Sequence, residues 1–419
     1  MHIAAHLDVD LVAVESEDTV SLLLELKAPE ADSDEERGPA AVQVVLDRSG
    51  SMSGGRLHAA QGALDRLITQ LDPKDSLGIT AFDHEVVTVL PAGPLANKDA
   101  ARQAVWSIFS RGSTNLSSGL LRGIQEARRV ANGRGATLVL LSDGQANEGV
   151  VDQVTLAGIA RQAHEQGVTT STLGVGLHYD EALMAAIARG GTGNALFAEE
   201  PDAAAAALTG EIGGLLEQTV QAASLTVRLD PAVSQVALLN DVPCQPVDGG
   251  LMIELGDLYA GETRKLVLEL AIPGLPALGL AQIAELELQY VELPAITTHT
   301  VTAPVHVNVV PGDEAAGRIP DPVVRSEAAF QRAQQAKRRA TDALRTDGPE
   351  RAAELYEEAG ARLDLDSANA PAELRAELAE EAATLRRLAA ESKLDASRAM
   401  KMSEADFDLK SRKRGRGPR

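Results

Sequence analysis

The sequence predicts an α/β chain: a doubly wound, mostly parallel sheet inserted in a β-sandwich and followed by a C-terminal helical bundle. Three patterns carry that expectation. Between residues 41 and 198, continuous apolar runs alternate with amphipathic helical stretches, as strands do when helices bury both of their faces. On either side of this region apolar and polar residues alternate with the period of half-buried strands. From Arg325 onward the chain is rich in Ala, Glu and Arg at helical spacing.

Taken in order, residues 3 to 14 and 19 to 28 read as a hairpin with Val20, Leu22, Leu24 and Leu26 on one face, ended by the acidic loop Glu30 to Arg37. An isolated hairpin is marginal in water, so residues 1–37 are expected to pair with strands later in the chain. Buried strands are expected at Ala41 to Leu46, Ser76 to Phe82 with Glu85 to Leu90, Ala136 to Leu141, Val168 to Val175 and Gly193 to Ala198. The Ala-rich segment Asp202 to Gln218 is the last helix of this domain, which spans 38–221. Alternation returns in Ser224 to Leu229, Val233 to Leu239, Leu251 to Leu255, Thr263 to Leu270, Ala281 to Val291 and Thr298 to Val309, giving a β-sandwich over 222–310. Prolines 311, 320 and 322 with Gly312 and Gly317 mark a linker over 311–324. A bundle over 325–400 follows, with helices at about 325 to 346, 350 to 363 and 371 to 392 and a core drawn from Leu344, Leu355, Tyr356, Leu374, Leu378 and Leu385. Residues 401–419 end in a basic, Gly-containing stretch without apolar anchors and are expected to be a disordered tail.

Composition removes several functions. With 39 Lys and Arg against 61 Asp and Glu, the net charge of -22 repels nucleic acid and anionic lipid, so neither is an expected partner. The sole cysteine, Cys244, rules out an intrachain disulfide and, with scattered histidines, a structural zinc site. The N-terminus lacks the basic start and apolar core of a signal peptide, and no run of about 18 apolar residues occurs. A cytoplasmic location is expected. Oligomeric state is left open.

The chemistry gathers at strand ends. Ala41 to Leu46 runs into Asp47-Arg48-Ser49-Gly50-Ser51, and Ala136 to Leu141 runs into Ser142-Asp143-Gly144. In an open parallel sheet, ligands bind beyond the carboxyl ends of the strands where strand order reverses, and a 3-2-1-4-5-6 order sets these two strands side by side there. A third polar turn, Gly112-Ser113-Thr114-Asn115-Leu116-Ser117, can reach the same edge. Together these loops offer the carboxylates of Asp47 and Asp143 and the hydroxyls of Ser49, Ser51 and Thr114, with no imidazole or thiolate. An all-oxygen set suits a hard cation, Mg²⁺ first, with Mn²⁺ and Ca²⁺ as alternatives. Two carboxylates and neutral hydroxyls leave the ion electrophilic, with room for a further carboxylate.

Asp47-x-Ser49-x-Ser51, Thr114 in Gly-Ser-Thr-Asn-Leu and Asp143 in Leu-Ser-Asp-Gly resemble the metal-ion-dependent adhesion site of von Willebrand factor type A domains, over roughly residues 40 to 220. The resemblance implies a Rossmann-like domain, direct ligation by Ser49, Ser51 and Thr114, and direct or water-mediated ligation by Asp47 and Asp143. It further implies a protein partner whose acidic residue completes the shell, hence a protein-binding module or adaptor without a catalytic step. The inserted arrangement resembles that of the integrin β subunit by organisation alone. The paired acids that build a second metal site in that family are replaced here by Met52-Ser53-Gly54-Gly55-Arg56, so no adjacent site is expected.

Rival readings are weaker. A metal-dependent hydrolase or phosphoryl-transfer enzyme would need a base, and Asp47 and Asp143 are committed as ligands. Gly50-Ser51-Met52-Ser53-Gly54 matches a nucleophile elbow, and Asp143 and His178 complete the order of a hydrolase triad, but the elbow belongs after a later strand. Gly50 to Gly55 has phosphate-loop spacing, yet Arg56-Leu57 stands where Lys-Ser/Thr is required. Gly174-Val175-Gly176 and Gly190-Gly191-Thr192-Gly193 read as turns, Trp106 as a core anchor, and His84 as a solvated turn residue.

Overall fold

The computed structural model describes the chain apart from residues 31–37, 132–134, 144–145, 177–178, 199–202, 204–205, 209, 212–217 and 413–419. It divides into two compact units, Met1–Ala31 with Thr219–Arg419, and Asp32–Gln218, so the second is an insertion in the sequence of the first. The chain opens with β1 (His2–Leu7), β2 (Leu11–Ala13) and β3 (Asp18–Lys27), which belong to the discontinuous unit.

The inserted unit carries β4 (Ala41–Asp47), α1 (Arg56–Gln70), β5 (Ser76–Phe82), β6 (Val86–Pro94), α2 (Lys98–Trp106), α3 (Leu116–Val130), β7 (Ala136–Ser142), α4 (Gln153–His164), β8 (Val168–Val175), α5 (Glu181–Gly190) and β9 (Thr192–Ala198). Its sheet runs β6-β5-β4-β7-β8-β9. β6 is antiparallel to β5 and the other pairs are parallel. Numbered from β4, this is the expected 3-2-1-4-5-6 order, and the reversal falls between β4 and β7. β7 is buried at every position and β4 at all but its first, which is why these strands show no polar face in the sequence. The helix expected over Asp202 to Gln218 falls largely outside the described residues. Within it, Leu208 and Glu211 are buried, and Glu211 accepts hydrogen bonds from Ser171 Oγ (2.8 Å) and Asn194 Nδ2 (2.8 Å).

α3 lies close on the sheet because two of its residues have no side chain. A Cβ on Gly119 would fall 2.6 Å from the Phe82 ring, and one on Gly123 would fall 2.2 Å from Val45 Cγ2 and 3.0 Å from Leu138 Cδ1. This approach fixes the start of α3, and with it the turn that carries Thr114. Trp106 departs from expectation: it is 44% exposed, with its Nε1 donating to Asp65 Oδ1 (3.3 Å) and its ring 5.1 Å from that of His58. Ala101 and Val105 form the buried face of α2, and Trp106 is one residue further round the helix.

The discontinuous unit continues with β10 (Gln218–Leu229), β11 (Gln235–Leu238), β12 (Cys244–Val247), β13 (Gly250–Tyr259), β14 (Thr263–Ile272), β15 (Gly279–Glu292) and β16 (Thr297–Val310). Two sheets form, β1-β3-β14-β11 and β12-β13-β10-β15-β16-β2. Leu22, Leu24 and Leu26 of β3 share one apolar cluster with Leu225, Ile253, Leu286 and Val307 of the other sheet. β1 pairs with β3, with Leu7 opposite Leu22, and β3 goes on to pair with β14 along its length, whereas Leu11–Ala13, expected in the same hairpin, pairs parallel with β16 in the other sheet.

The segment 311–324, expected to be a linker, holds the short helix α6 (Gly312–Ala316) and the start of α7 (Pro322–Thr346), capped by the Asp321 carboxylate. α8 (Pro349–Ser367), α9 (Ala372–Leu394) and α10 (Ala396–Arg412) complete the bundle. α7 covers the outer face of the smaller sheet, where Val324 and Ala328 meet Leu23 and Val267. The tail expectation is corrected as far as Arg412, which ends α10; residues 413–419 lie outside the described residues. Polar contacts as well as apolar ones hold α10. Buried Ser403 joins Tyr356 Oη (2.9 Å) and Thr341 Oγ1 (2.7 Å), and Asp406 and Lys410 join the buried pair Lys337 and Glu381. A helix anchored this way has little apolar periodicity to read.

Gly123→Ala gains up to about 1 kcal/mol of helix propensity. It drives a methyl into Val45 and Leu138, both fully buried, at a cost of about 1–3 kcal/mol. The packing penalty wins, so the urea midpoint of the variant falls, and an unchanged or raised midpoint would show that α3 can lift off the sheet freely.

Candidate metal centre

The site is built on like charges brought together at the strand ends. Leu46 pairs with Leu141, which places Asp47 beside Ser142 and one residue from Asp143, and both carboxylates are fully buried. Each oxygen is met by a donor. Asp47 Oδ1 accepts from the Ser49 backbone N–H (2.7 Å) and Oδ2 from Ser142 Oγ (2.6 Å). Asp143 Oδ1 accepts from Ser51 Oγ (2.7 Å) and Oδ2 from Arg56 Nη1 (2.7 Å). Ser49 Oγ and Ser51 Oγ are 3.0 Å apart, so Ser49, Ser51 and Asp143 form one hydrogen-bonded chain. Burial pushes the Asp47 carboxyl up to about 6, against the hydrogen bonds from Ser142 and Ser49, and the Asp143 charge pushes in the same direction as burial.

The Thr114 turn is tied to both neighbouring loops. The Gly50 N–H donates to the Gly112 carbonyl (3.0 Å) and the Arg111 N–H to the Arg48 carbonyl (2.8 Å). On its other side the Thr114 N–H donates to Asn147 Oδ1 (2.9 Å), and the Thr114 carbonyl accepts from the N–H groups of Asn147 and Glu148 (3.2 Å each). Thr114 itself is buried. The structure thus brings Asp47, Ser49, Ser51 and Asp143 into direct or one-step contact and sets Thr114 on a turn laced to their loops. His178, the third member of the rival hydrolase order, lies outside the described residues.

Sequence reasoning missed the brace beneath these loops. Asp83, fully buried just beyond β5, pairs through Oδ2 with Arg48 Nε (3.1 Å) and Arg111 Nε (2.9 Å), while its backbone carbonyl accepts from the Asn115 N–H (2.9 Å). One carboxylate therefore grips the loop of Ser49 and the turn of Thr114 together. An acid directly after a buried strand was the available signal. Asp83, His84 and Glu85 could by spacing hold a metal, their ligand atoms lying within 4.8 Å of one another. Two guanidiniums already face these carboxylates, so a second cation there would meet repulsion.

Because the fold favours protonated Asp47, the folded state keeps a proton that the unfolded chain loses above its ordinary value of 3.8. In EDTA, unfolding free energy is therefore expected to fall as pH rises from about 4 to about 6, by on the order of 3 kcal/mol. Asp47→Asn removes this slope in urea titrations at stepped pH; the same slope in both proteins would mean that Asp47 ionises freely in the fold.

The geometry agrees with the family comparison. The von Willebrand factor type A domain family matches residues 42–210. An uncharacterised protein of Synechocystis is 30% identical over 269 residues, 61% of this chain and 64% of that protein. The E3 ubiquitin-protein ligase WAV3 of Arabidopsis thaliana is 32% identical over 257 residues, 57% of this chain and 32% of that protein. The chain thus spans less than two thirds of either relative. Among solved structures, a von Willebrand factor type A protein from Catenulispora acidiphila superposes with a TM-score of 0.65 at 17% identity, over 87% of this chain and 88% of that one. The ArnB paralog VWA2 from Sulfolobus acidocaldarius superposes with a TM-score of 0.62 at 18% identity, over 96% and 98%. The strand order and the loop motif agree with the family match, and residues 42–210 form a von Willebrand factor type A domain.

Proposed function

We propose that the inserted domain is a divalent-metal-dependent protein-binding module, in which a cation held by Asp47, Ser49, Ser51, Thr114 and Asp143 captures an acidic residue of a partner protein. The observation that carries this reading is the direction of the hydroxyl protons. Ser51 gives its proton to Asp143 and so accepts from Ser49, which leaves one free lone pair on Ser51 Oγ and both on Ser49 Oγ, beside the buried negative charge of Asp47 and Asp143. Such a set fits a hard cation and offers nothing to a soft one. Mg²⁺ is the natural occupant, with Mn²⁺ and Ca²⁺ as substitutes. When bound, the ion would supply electrostatic attraction for an anion, while this chain's residues would hold it at the strand ends.

The inter-alpha-trypsin inhibitor heavy chain H3 of Homo sapiens is 35% identical over 121 residues, a stretch that is 14% of that protein. That share supports a reusable domain set in larger proteins of varied purpose, as an adaptor module would be. The two-sheet region and the bundle would then link the module to its assembly in the cytoplasm, with no role for nucleic acid or membrane. Among the described residues no helix is long and apolar enough to cross a membrane.

In a pull-down from native extract, wild type in Mg²⁺ retains a partner that is lost in EDTA and lost with Asp47→Ala. Partners identical in every lane would overturn the reading. Ser49→Ala and Thr114→Ala are expected to weaken Mn²⁺ binding roughly tenfold each, by removing one neutral ligand, and Asp143→Ala to abolish it, as calorimetric titration would show.

A further inference from the structure

Arg56 is a cation already built into this centre. Its Nη1 donates to Asp143 Oδ2 (2.7 Å) and to the Ser51 carbonyl (2.9 Å), and its side chain is about one-third exposed. The opposite oxygen of Asp143 is the one that receives Ser51 Oγ, so guanidinium and hydroxyl divide the carboxylate between them. The backbone after β8 confines the group as well. Gly176, at φ +80°, packs so near that a Cβ there would stand 3.4 Å from Arg56 Nε. Arg56 opens α1 and follows Gly55 at φ +106°, so the helix start itself aims the side chain back across the loop.

We propose that Arg56 is a positioning residue that sets the charge of the centre and so tunes it for a carboxylate ligand, an inference that rests on the function proposed above. Counted as the carboxylates that a bound metal requires, two aspartates with one guanidinium leave the donor set with a single negative charge. A divalent cation then makes it singly positive, whereas without Arg56 the loaded centre would be neutral. The guanidinium therefore opposes metal binding and favours the anion that follows, and it does so from Asp143 Oδ2 without taking a hydroxyl from the ion. The partner class that follows is a single carboxylate, since the loaded centre carries one unit of charge to neutralise.

The test uses the full chain as wild type, Arg56→Gln, Arg56→Lys and Asp47→Ala. Mn²⁺ is titrated first, with water-proton relaxation as the readout, and acetate is then titrated onto the Mn²⁺-loaded proteins. Arg56→Gln is expected to bind Mn²⁺ roughly three- to tenfold more tightly and acetate roughly three- to tenfold more weakly, with Arg56→Lys close to wild type in both. Opposite signs separate a charge effect from simple damage to the loop, which would weaken both affinities. Weakening of both, or no change in either, overturns the role given to Arg56. If wild type binds Mn²⁺ no better than Asp47→Ala, the metal reading itself fails and this inference falls with it.

Discussion

Everything at this centre follows from burying two carboxylates side by side. Asp47 and Asp143 stand at the ends of adjacent central strands, out of water and within reach of each other's field, a placement that costs free energy unless protons, donors or cations compensate it. Hydrogen bonds from Ser142, Ser51 and the Ser49 backbone N–H meet part of that cost, and Arg56 meets more. At Asp47 burial still outweighs these donors and raises the pKa. Under the function proposed above, a divalent cation would meet the remainder.

Holding the arrangement is the work of the loops, and their rigidity comes from charge as much as from packing. Asp83 grips Arg48 and Arg111, which lie in two different loops, so the residues flanking Ser49 and Thr114 cannot drift apart without leaving a buried charge unpaired. Losing one partner of such a pair costs on the order of 3–5 kcal/mol, more than a surface contact could contribute. Close approach of α3 to β4 and β5 through Gly119 and Gly123 adds the apolar half of the same constraint. Guanidiniums thus compensate both the supporting acid Asp83 and the site residue Asp143.

The discontinuous unit shows the same economy of means in another form. β3 has apolar residues on both faces because one side meets the second sheet and the other meets α7. In the bundle, the buried Lys337 and Glu381 hold α10 by charge where its sequence offers few apolar residues. Specific polar contacts of this kind select one docking arrangement for a helix that hydrophobicity alone would leave loosely placed.

Local pattern alone determined much of this protein. Runs such as Ala41 to Leu46 and Ala136 to Leu141 read as doubly buried strands because strands covered on both faces have no polar period to hide them. The candidate oxygen donors were legible as a group because Asp-x-Ser-x-Ser, Thr114 and Asp143 all fall directly after such runs or at a helix start, where side chains must point off the sheet edge. Only the tertiary structure decided the charge partners. Arg56 with Asp143 spans 87 residues and Arg111 with Asp83 spans 28, and no periodicity encodes a contact between two loops. The same limit explains Trp106, whose side of the helix depended on a one-residue rotation, and α10, whose anchors are polar. Short-range pattern reports which face is buried; which charge meets which is set by where the folded backbone brings the loops.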